Sequence, residues 1–186
     1  MSDHKGVVIL RGSPRAGGNS DQMADRFANI VKGAGRPLHD DALRDLNFVP
    51  FGELPTDHRD DLSSALAAIY DANVVVLSTP IYFCNISGLL KGAFDRFFGY
   101  LKSDYLTNPQ PTKLPAGKHL VLLQVQGEPA ERYGDLLAQY GPALDKLGFK
   151  GRHLVRACGV RDSEDIQSHP DVLQAVEKLA TRLITS

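Results

Sequence analysis

Four apolar runs of strand length recur along the chain, at residues 7–10, 74–77, 120–125 and 153–158. They are near-continuous rather than alternating, the pattern of parallel strands covered on both faces. Between them the apolar positions take up helical spacing. Met23, Phe27, Ile30 and Val31 fall at i, i+4, i+7 and i+8, and Leu62, Leu66, Ile69 and Tyr70 repeat that spacing. A third helix is predicted after Ser87-Gly88, with Leu90, Phe94, Phe97 and Leu101 on one side. A fourth carries Leu136, Leu137, Tyr140, Leu144 and Leu147, and Gly141-Pro142 should kink or split it. The last opens at His169-Pro170, a first-turn proline, and carries Val172, Val176, Leu179 and Leu183. A further strand is needed between the first two helices, and residues 37–43 are assigned to it.

Strands alternating with helices wind, through right-handed crossovers, into an open parallel sheet with helices on both faces. The expected fold class is a three-layer α/β/α domain. Ligands in such sheets bind outside the carboxyl ends of the strands, where the strand order reverses, so the segments that follow the strands matter most. No internal repeat or low-complexity tract interrupts the pattern. Residues 103–118, with three prolines, form a long connection that serves as a surface loop, a lid or a subunit contact.

Composition narrows the function. The 186 residues, 42% hydrophobic and 23% charged, suit one domain spanning 1–186 that buries about 70% of its unfolded surface. A net charge of -1 and a pI of about 6.6 argue against nucleic acid or an anionic membrane as partner. No run approaches the roughly 18 apolar residues of a membrane span, and the first residues lack an apolar stretch behind basic ones, so a cytoplasmic protein is expected. Cys84 and Cys158 are too far apart for a Cys-x-x-Cys site, and the six histidines show no metal-binding spacing, so no metal is expected.

After the first strand comes Gly-Ser-Pro-Arg-Ala-Gly-Gly-Asn-Ser, residues 12–20. Its glycines allow a tight turn, and Asn19 or Ser20 can cap the helix that follows. Alone it reads either as an ordinary strand-to-helix turn or as an anion site, where helix N–H groups and the side chains of Ser13, Arg15, Asn19 and Ser20 would meet a phosphate. It is not a dinucleotide fingerprint, because Ser13-Pro14 follows Gly12 in place of a second spaced glycine. Nor is it a nucleoside-triphosphate loop, because Gly18 stands where lysine is required.

After the third strand, Thr79-Pro80 is expected to end the strand, and Ile81, Tyr82 and Phe83 place aromatic surface at a cleft mouth or simply cap the core. After the fourth, Gln126-Gly127-Glu128 forms another small polar turn, with Glu128 read as a helix first-turn acid. Three such turns would converge on one crevice in a sheet ordered 2-1-3-4-5, the place where flavin mononucleotide sits by the switch-point rule. Other features read as structural. Cys84 has Leu90 rather than arginine six residues on, against a cysteine phosphatase; residues 57–61 read as a solvated helix entry, and Asp95-Arg96 as a structural ion pair.

Residues 12–20 together with Ser-Thr-Pro-Ile-Tyr-Phe-Cys-Asn-Ile-Ser-Gly-Leu-Leu-Lys-Gly-Ala-Phe-Asp-Arg, residues 78–96, resemble the NAD(P)H-dependent FMN and quinone reductases of the flavodoxin-like superfamily, a group related to the iron-sulfur flavoproteins. The similarity runs from about Lys5 to Arg96, and the later strand-helix spacing agrees. The resemblance implies a flavodoxin-like sheet of order 2-1-3-4-5 and an FMN-dependent oxidoreductase that moves hydride from NAD(P)H to a quinone, free flavin or similar acceptor. It implies that Ser13, Arg15, Asn19 and Ser20 bind the FMN phosphate. Pro80, Ile81, Tyr82, Phe83, Cys84, Asn85 and Ile86 would border the ring and ribityl chain, and Gln126, Gly127 and Glu128 would close the other side. No catalytic side chain is implied, because the flavin holds the chemistry. Family members are commonly homodimers with flavin sites at the interface; the tract 97–100 with the loop after it is the candidate contact, and Phe97 and Phe98 can equally belong to the core. The cluster cysteines of the iron-sulfur relatives have no counterpart in residues 44–57. Cys84 stands where the family commonly has a small residue, and it is read as a passive side chain. Two other readings stay open: a flavodoxin-type electron carrier, although such carriers are strongly acidic with a Thr-rich phosphate loop, and a flavin-binding module without turnover.

Overall fold

A computed structural model describes residues 6–52 and 59–185. Residues 57 and 58 of the acidic stretch, His4, and Lys5 at the start of the resemblance lie outside them. In chain order the elements are β1 (Val7–Arg11), α1 (Asn19–Gly33), β2 (Leu38–Ala42), α2 (Leu62–Asp71), β3 (Val74–Tyr82), β4 (Asn85–Ile86), α3 (Gly88–Asp95), β5 (Lys118–Gln126), α4 (Leu136–Gln139), α5 (Gly141–Lys146), β6 (Phe149–Cys158) and α6 (Pro170–Thr185). The sheet runs β2-β1-β3-β5-β6 with every neighbouring pair parallel, and β4 folds back antiparallel on the end of β3. Without that two-residue strand, this is the expected 2-1-3-4-5 order.

Successive side chains of a strand point to opposite faces, and both faces are apolar here. Val7, Ile9, Val74, Val76, Val121 and Leu123 meet Met23, Phe27 and Val31 of α1 and Val176 and Ala180 of α6. On the opposite face Val8, Leu10, Val75, Leu77, Leu120 and Leu122 meet α2, α3 and α5 through Leu62, Ile69, Leu90, Phe94 and Leu144. Full burial of each such side chain contributes roughly 1.5–3 kcal/mol. Among the described residues, no helix is long and apolar enough to cross a membrane.

The structure departs from the sequence pattern at several points. The strand expected to stop at Thr79-Pro80 continues to Tyr82. Pairing with β1 ends at Ser78, so the missing N–H of Pro80 falls where one side of β3 has become an edge. Tyr70 is exposed rather than part of the α2 stripe. The third helix tightens after Asp95 into a 3-10 turn over Arg96–Tyr100, which still buries Phe97. The fourth splits between Gln139 and Gly141, as Gly-Pro dictates. Asp95 and Arg96 do not pair with each other: Lys91 holds Asp95 across one helical turn, and Arg96 reaches Asp60 at 2.7 Å. Consecutive helical residues point about 100° apart, which favours the i,i+4 partner. Asp60 is therefore half-buried and paired, while Arg59 and Asp61 beside it are exposed as expected. Burial raises its pKa, but hydrogen bonds from Arg96 and the Val49 N–H outweigh that and hold it at about 2.

Candidate functional site

The segments after β1, β3, β5 and β6 open on one cleft at the carboxyl edge of the sheet. Its inner part, about 210 Å³, is bordered by Ser13, Arg15, Gly18, Asn19, Ser20, Pro80, Ile81, Tyr82, Gln126, Gly127, Arg161 and Ser163. An outer part of about 390 Å³ adds Phe83, Cys84, Glu128 and Tyr133. Ile81, Tyr82, Gln126, Gly127 and Arg161 border both.

The first turn is shaped by what lies behind it. A Cβ on Gly12 would stand 2.6 Å from Leu90 Cβ and 3.0 Å from Ser87 Oγ, so only glycine lets β1 pass this close to α3. Ser87 Oγ donates to the Gly12 carbonyl at 2.5 Å and accepts from the Leu90 N–H at 3.1 Å, capping α3 and tying it to the turn. Gly17 takes φ +68, and the N-cap of α1 is Gly18 rather than Asn19 or Ser20, with no side-chain cap bond. The start of a 15-residue helix thus faces the cleft with its N–H groups uncovered by a side chain. Ser13 Oγ folds back on Arg15, donating to its carbonyl at 2.8 Å. Asp21, buried in the first turn, accepts from Gly17 N–H at 3.0 Å and is neutralised by Arg44 at 3.0 Å.

The segment after β3 is a hairpin whose two central residues, Phe83 and Cys84, have φ +46 and +67. Two positive φ values in succession make a type I′ geometry, normally the property of Asn-Gly. Phe83 is fully exposed at the tip. Asn85 Oδ1 accepts from Tyr140 Oη at 2.5 Å, and Cys84 Sγ lies 3.6 Å from Tyr133 Oη. The Tyr140 hydroxyl is shifted to higher pKa, first by burial and then by Asp95.

Behind the segment after β5, Gln124 and Gln126 point to the same face and are buried. Gln124 Nε2 donates to Gln126 Oε1 at 2.7 Å, and Gln126 Nε2 donates to the Pro129 and Arg132 carbonyls at 2.8 and 3.0 Å. Arg156 of β6 donates to the Ala130 and Arg132 carbonyls. These bonds hold residues 127–134 without a helix, so Glu128 is an exposed loop acid, not the first-turn acid expected.

The segment after β6 is the part of the site that sequence reasoning missed. Asn19 Nδ2 donates to the Asp162 carbonyl at 2.7 Å, and Gln22 Nε2 to that of Ser163 at 2.6 Å. Asp165 accepts the N–H groups of Arg161 and Asp162 at 2.8 and 2.9 Å. Applying the switch-point rule to the last strand as well would have pointed to these residues.

The structure brings Ser13, Arg15, Asn19, Ser20, Pro80, Ile81, Tyr82, Gln126 and Gly127 together in the inner cleft, and Phe83, Cys84 and Glu128 beside them in the outer part. Asn85 and Ile86 border neither: Asn85 binds Tyr140, and Ile86 is buried in the core. Arg15 stands 3.4 Å from the Tyr82 hydroxyl, bridging the first and third segments. FMN, implied by the resemblance, fits this donor set. A bare helix start with Arg15 and two serines suits a phosphate, while Tyr82 and the polar 126–127 segment flank the remainder.

The family described as NADPH-dependent FMN reductase matches residues 6–131. Over 182 residues the chain is 24% identical to YwqN of Bacillus subtilis (strain 168), provisionally named an NAD(P)H-dependent FMN-containing oxidoreductase, covering 95% of this chain and 97% of that one. Among solved structures, an FMN-dependent NADH-azoreductase from Bacillus anthracis in complex with FMN is 19% identical, with a TM-score of 0.72 over 97% of this chain and all of that one. An NAD(P)H:quinone oxidoreductase from Methanothermobacter marburgensis is also 19% identical, with a TM-score of 0.69 over 95% of this chain and 94% of that one.

Proposed function

The chain belongs to the NADPH-dependent FMN reductase family, and from that premise we propose that its cleft holds FMN and delivers electrons from NAD(P)H to a small acceptor such as a quinone or free flavin. The observation that supports this most is the meeting of the first turn, the Tyr82 hairpin and the 126–127 segment in one cleft. Bound FMN supplies the chemistry, accepting hydride and passing electrons on. The chain's part is to bind and to orient.

Ser13, Arg15, Ser20 and the start of α1 would hold the phosphate. Pro80, Ile81 and Tyr82 would form one wall and Gln126 and Gly127 the other, with Phe83, Cys84 and Glu128 at the outer mouth. Asn19 supports the site by fixing the segment after β6. Asn85 and Ile86, which the resemblance also puts beside the flavin, would act by holding the hairpin. No acid or base need come from the protein.

The proposal includes a single domain working as a homodimer in the cytoplasm. Exposed Phe98 and Leu106, on a groove of about 390 Å³ shared with Leu101, Tyr105 and Pro142, favour a second copy as partner. Neither cysteine is in a disulfide, which suits a reducing compartment.

The test is the visible spectrum of the purified protein before and after anaerobic NADPH or NADH, with mass analysis of released ligand and light scattering for the oligomer. FMN bleached by the nicotinamide supports the reductase. FMN reduced only by dithionite or a protein donor would favour a carrier, and no FMN uptake would remove the cofactor assignment.

A further inference from the structure

We propose that Arg161 is a phosphate-recognition residue of the cleft, supplied by the segment after the last strand and specific for a phosphate monoester. The inference rests on the flavin reductase reading and adds to it a cation outside the first turn.

The backbone around Arg161 is held from three directions. Asp165 accepts the Arg161 N–H at 2.8 Å, the Val160 N–H donates to the Gln126 carbonyl at 3.0 Å, and Asn19 donates to the Asp162 carbonyl at 2.7 Å. The side chain then lies across Gly127: a Cβ on that glycine would stand 3.1 Å from Arg161 Cγ and 3.3 Å from its Nε. The absence of a side chain at 127 is what gives the arginine stem its course into the cleft.

At the end of that stem, no hydrogen bond or ion pair within the described residues engages the guanidinium. Arg161 itself is exposed at the rim of the cleft, whereas the half-buried arginines nearby are committed. Arg11 binds Asp25 and Asp40, Arg44 binds Asp21, and Arg156 binds loop carbonyls. Arg161 instead borders both the inner cleft, with Ser13 and Ser163, and the outer one, with Glu128 and Tyr133. A guanidinium whose backbone is fixed and whose donors are unspent is preorganised for an anion, and its planar fork matches phosphate oxygens in pairs.

Two ligands of a reductase end in such a group: FMN in its 5′-phosphate, and NADPH in its 2′-phosphate. Riboflavin and NADH are the same molecules without it. The experiment is therefore to measure Kd for FMN and riboflavin with the flavin-stripped full chain, and KM for NADPH and NADH with the FMN-loaded chain. Wild type is compared with R161Q and with R132Q, which removes an equal charge from an exposed residue outside the cleft.

Loss of one charge-assisted contact is expected to weaken binding about tenfold or more. A loss for FMN but not riboflavin assigns Arg161 to the flavin phosphate. A loss for NADPH but not NADH assigns it to the co-substrate. R161Q values within twofold of wild type for all four ligands, or equal losses with and without the phosphate, overturn the proposal. An unchanged melting temperature in R161Q separates these results from misfolding. Failure of wild type to take up FMN would overturn the reductase reading itself, whereas FMN uptake without an Arg161 effect removes only this inference.

Discussion

Asn19 Oδ1 accepts the backbone N–H of Ile166 at 3.1 Å, joining residues 147 apart in sequence. Its Nδ2 simultaneously donates to the Asp162 carbonyl at 2.7 Å. The side chain that sequence reasoning offered to a phosphate is thus spent on aligning the segment after β6 with the start of α1.

This gives the first prediction. Asn19→Ala leaves the buried Ile166 N–H without its acceptor and should cost about 2 kcal/mol of stability, measured by urea unfolding. FMN should also bind more weakly, because the segment bearing Arg161 and Ser163 loses its tie to α1. Asn19→Asp keeps the acceptor and loses the donor, so its stability should fall between the two. An alanine variant as stable as wild type would remove the bracing role.

Gly12 gives a second. Its Cβ would meet Leu90 Cβ at 2.6 Å and the Ser78 carbonyl at 3.2 Å, both parts of packed elements with little freedom to move. Gly12→Ala should destabilise by roughly 1–3 kcal/mol through overpacking. Gly33 has nothing within 4 Å of its Cβ position and takes ordinary helical geometry near the end of α1. Gly33→Ala should be neutral or slightly stabilising, so the pair separates close packing from a general dislike of substitution at glycine.

The architecture was legible because the three central strands, β1, β3 and β5, are apolar on both faces and the long helices on one stripe. Val74 to Leu77 and Met23 to Val31 needed no tertiary information. Pro80 misled because proline usually stops a strand, and only the three-dimensional fact that β1 ends opposite Ser78 makes it tolerable. The first turn was readable through its glycines. Arg161 was not, since Arg-Asp-Ser-Glu-Asp has the composition of any solvated loop, and its place is set by bonds to Asn19 and Gln126 that no local pattern encodes.

The hairpin tip yields a third prediction. Phe83 and Cys84 both occupy left-handed backbone conformations, each costing about 1–2 kcal/mol relative to a right-handed one. Cys84→Gly should stabilise the protein by about 1 kcal/mol in urea titrations, since the substitution removes only a weak thiol bond to Tyr133 at 3.6 Å. FMN affinity should stay within a factor of two, because Cys84 borders only the outer cleft. A glycine variant less stable than wild type would mean that the thiol bond outweighs the backbone strain.

The last prediction concerns acid. His119 Nδ1 and His153 Nε2 are 3.1 Å apart, and the rings stack with centroids 5.3 Å apart. Only one of the facing nitrogens can donate, and a proton added to His153 would also stand beside Arg182, which lies 3.5 Å from His153 Nδ1. The His153 pKa is lowered, chiefly by burial and then by His119 and Arg182. Between that depressed folded value and the ordinary 6.5, the unfolded chain binds more protons than the folded one, so stability rises with pH across this interval. It should therefore fall as pH drops below about 6.5 and stop falling, on this account, once the folded histidine also titrates. His153→Gln should flatten unfolding free energy between pH 7 and 5 while leaving the acid limb at lower pH. Asp60, held at about 2 against an ordinary 3.8, keeps its contribution until the pH falls through that lower interval. An unchanged slope near pH 6 in His153→Gln would assign the dependence to another group.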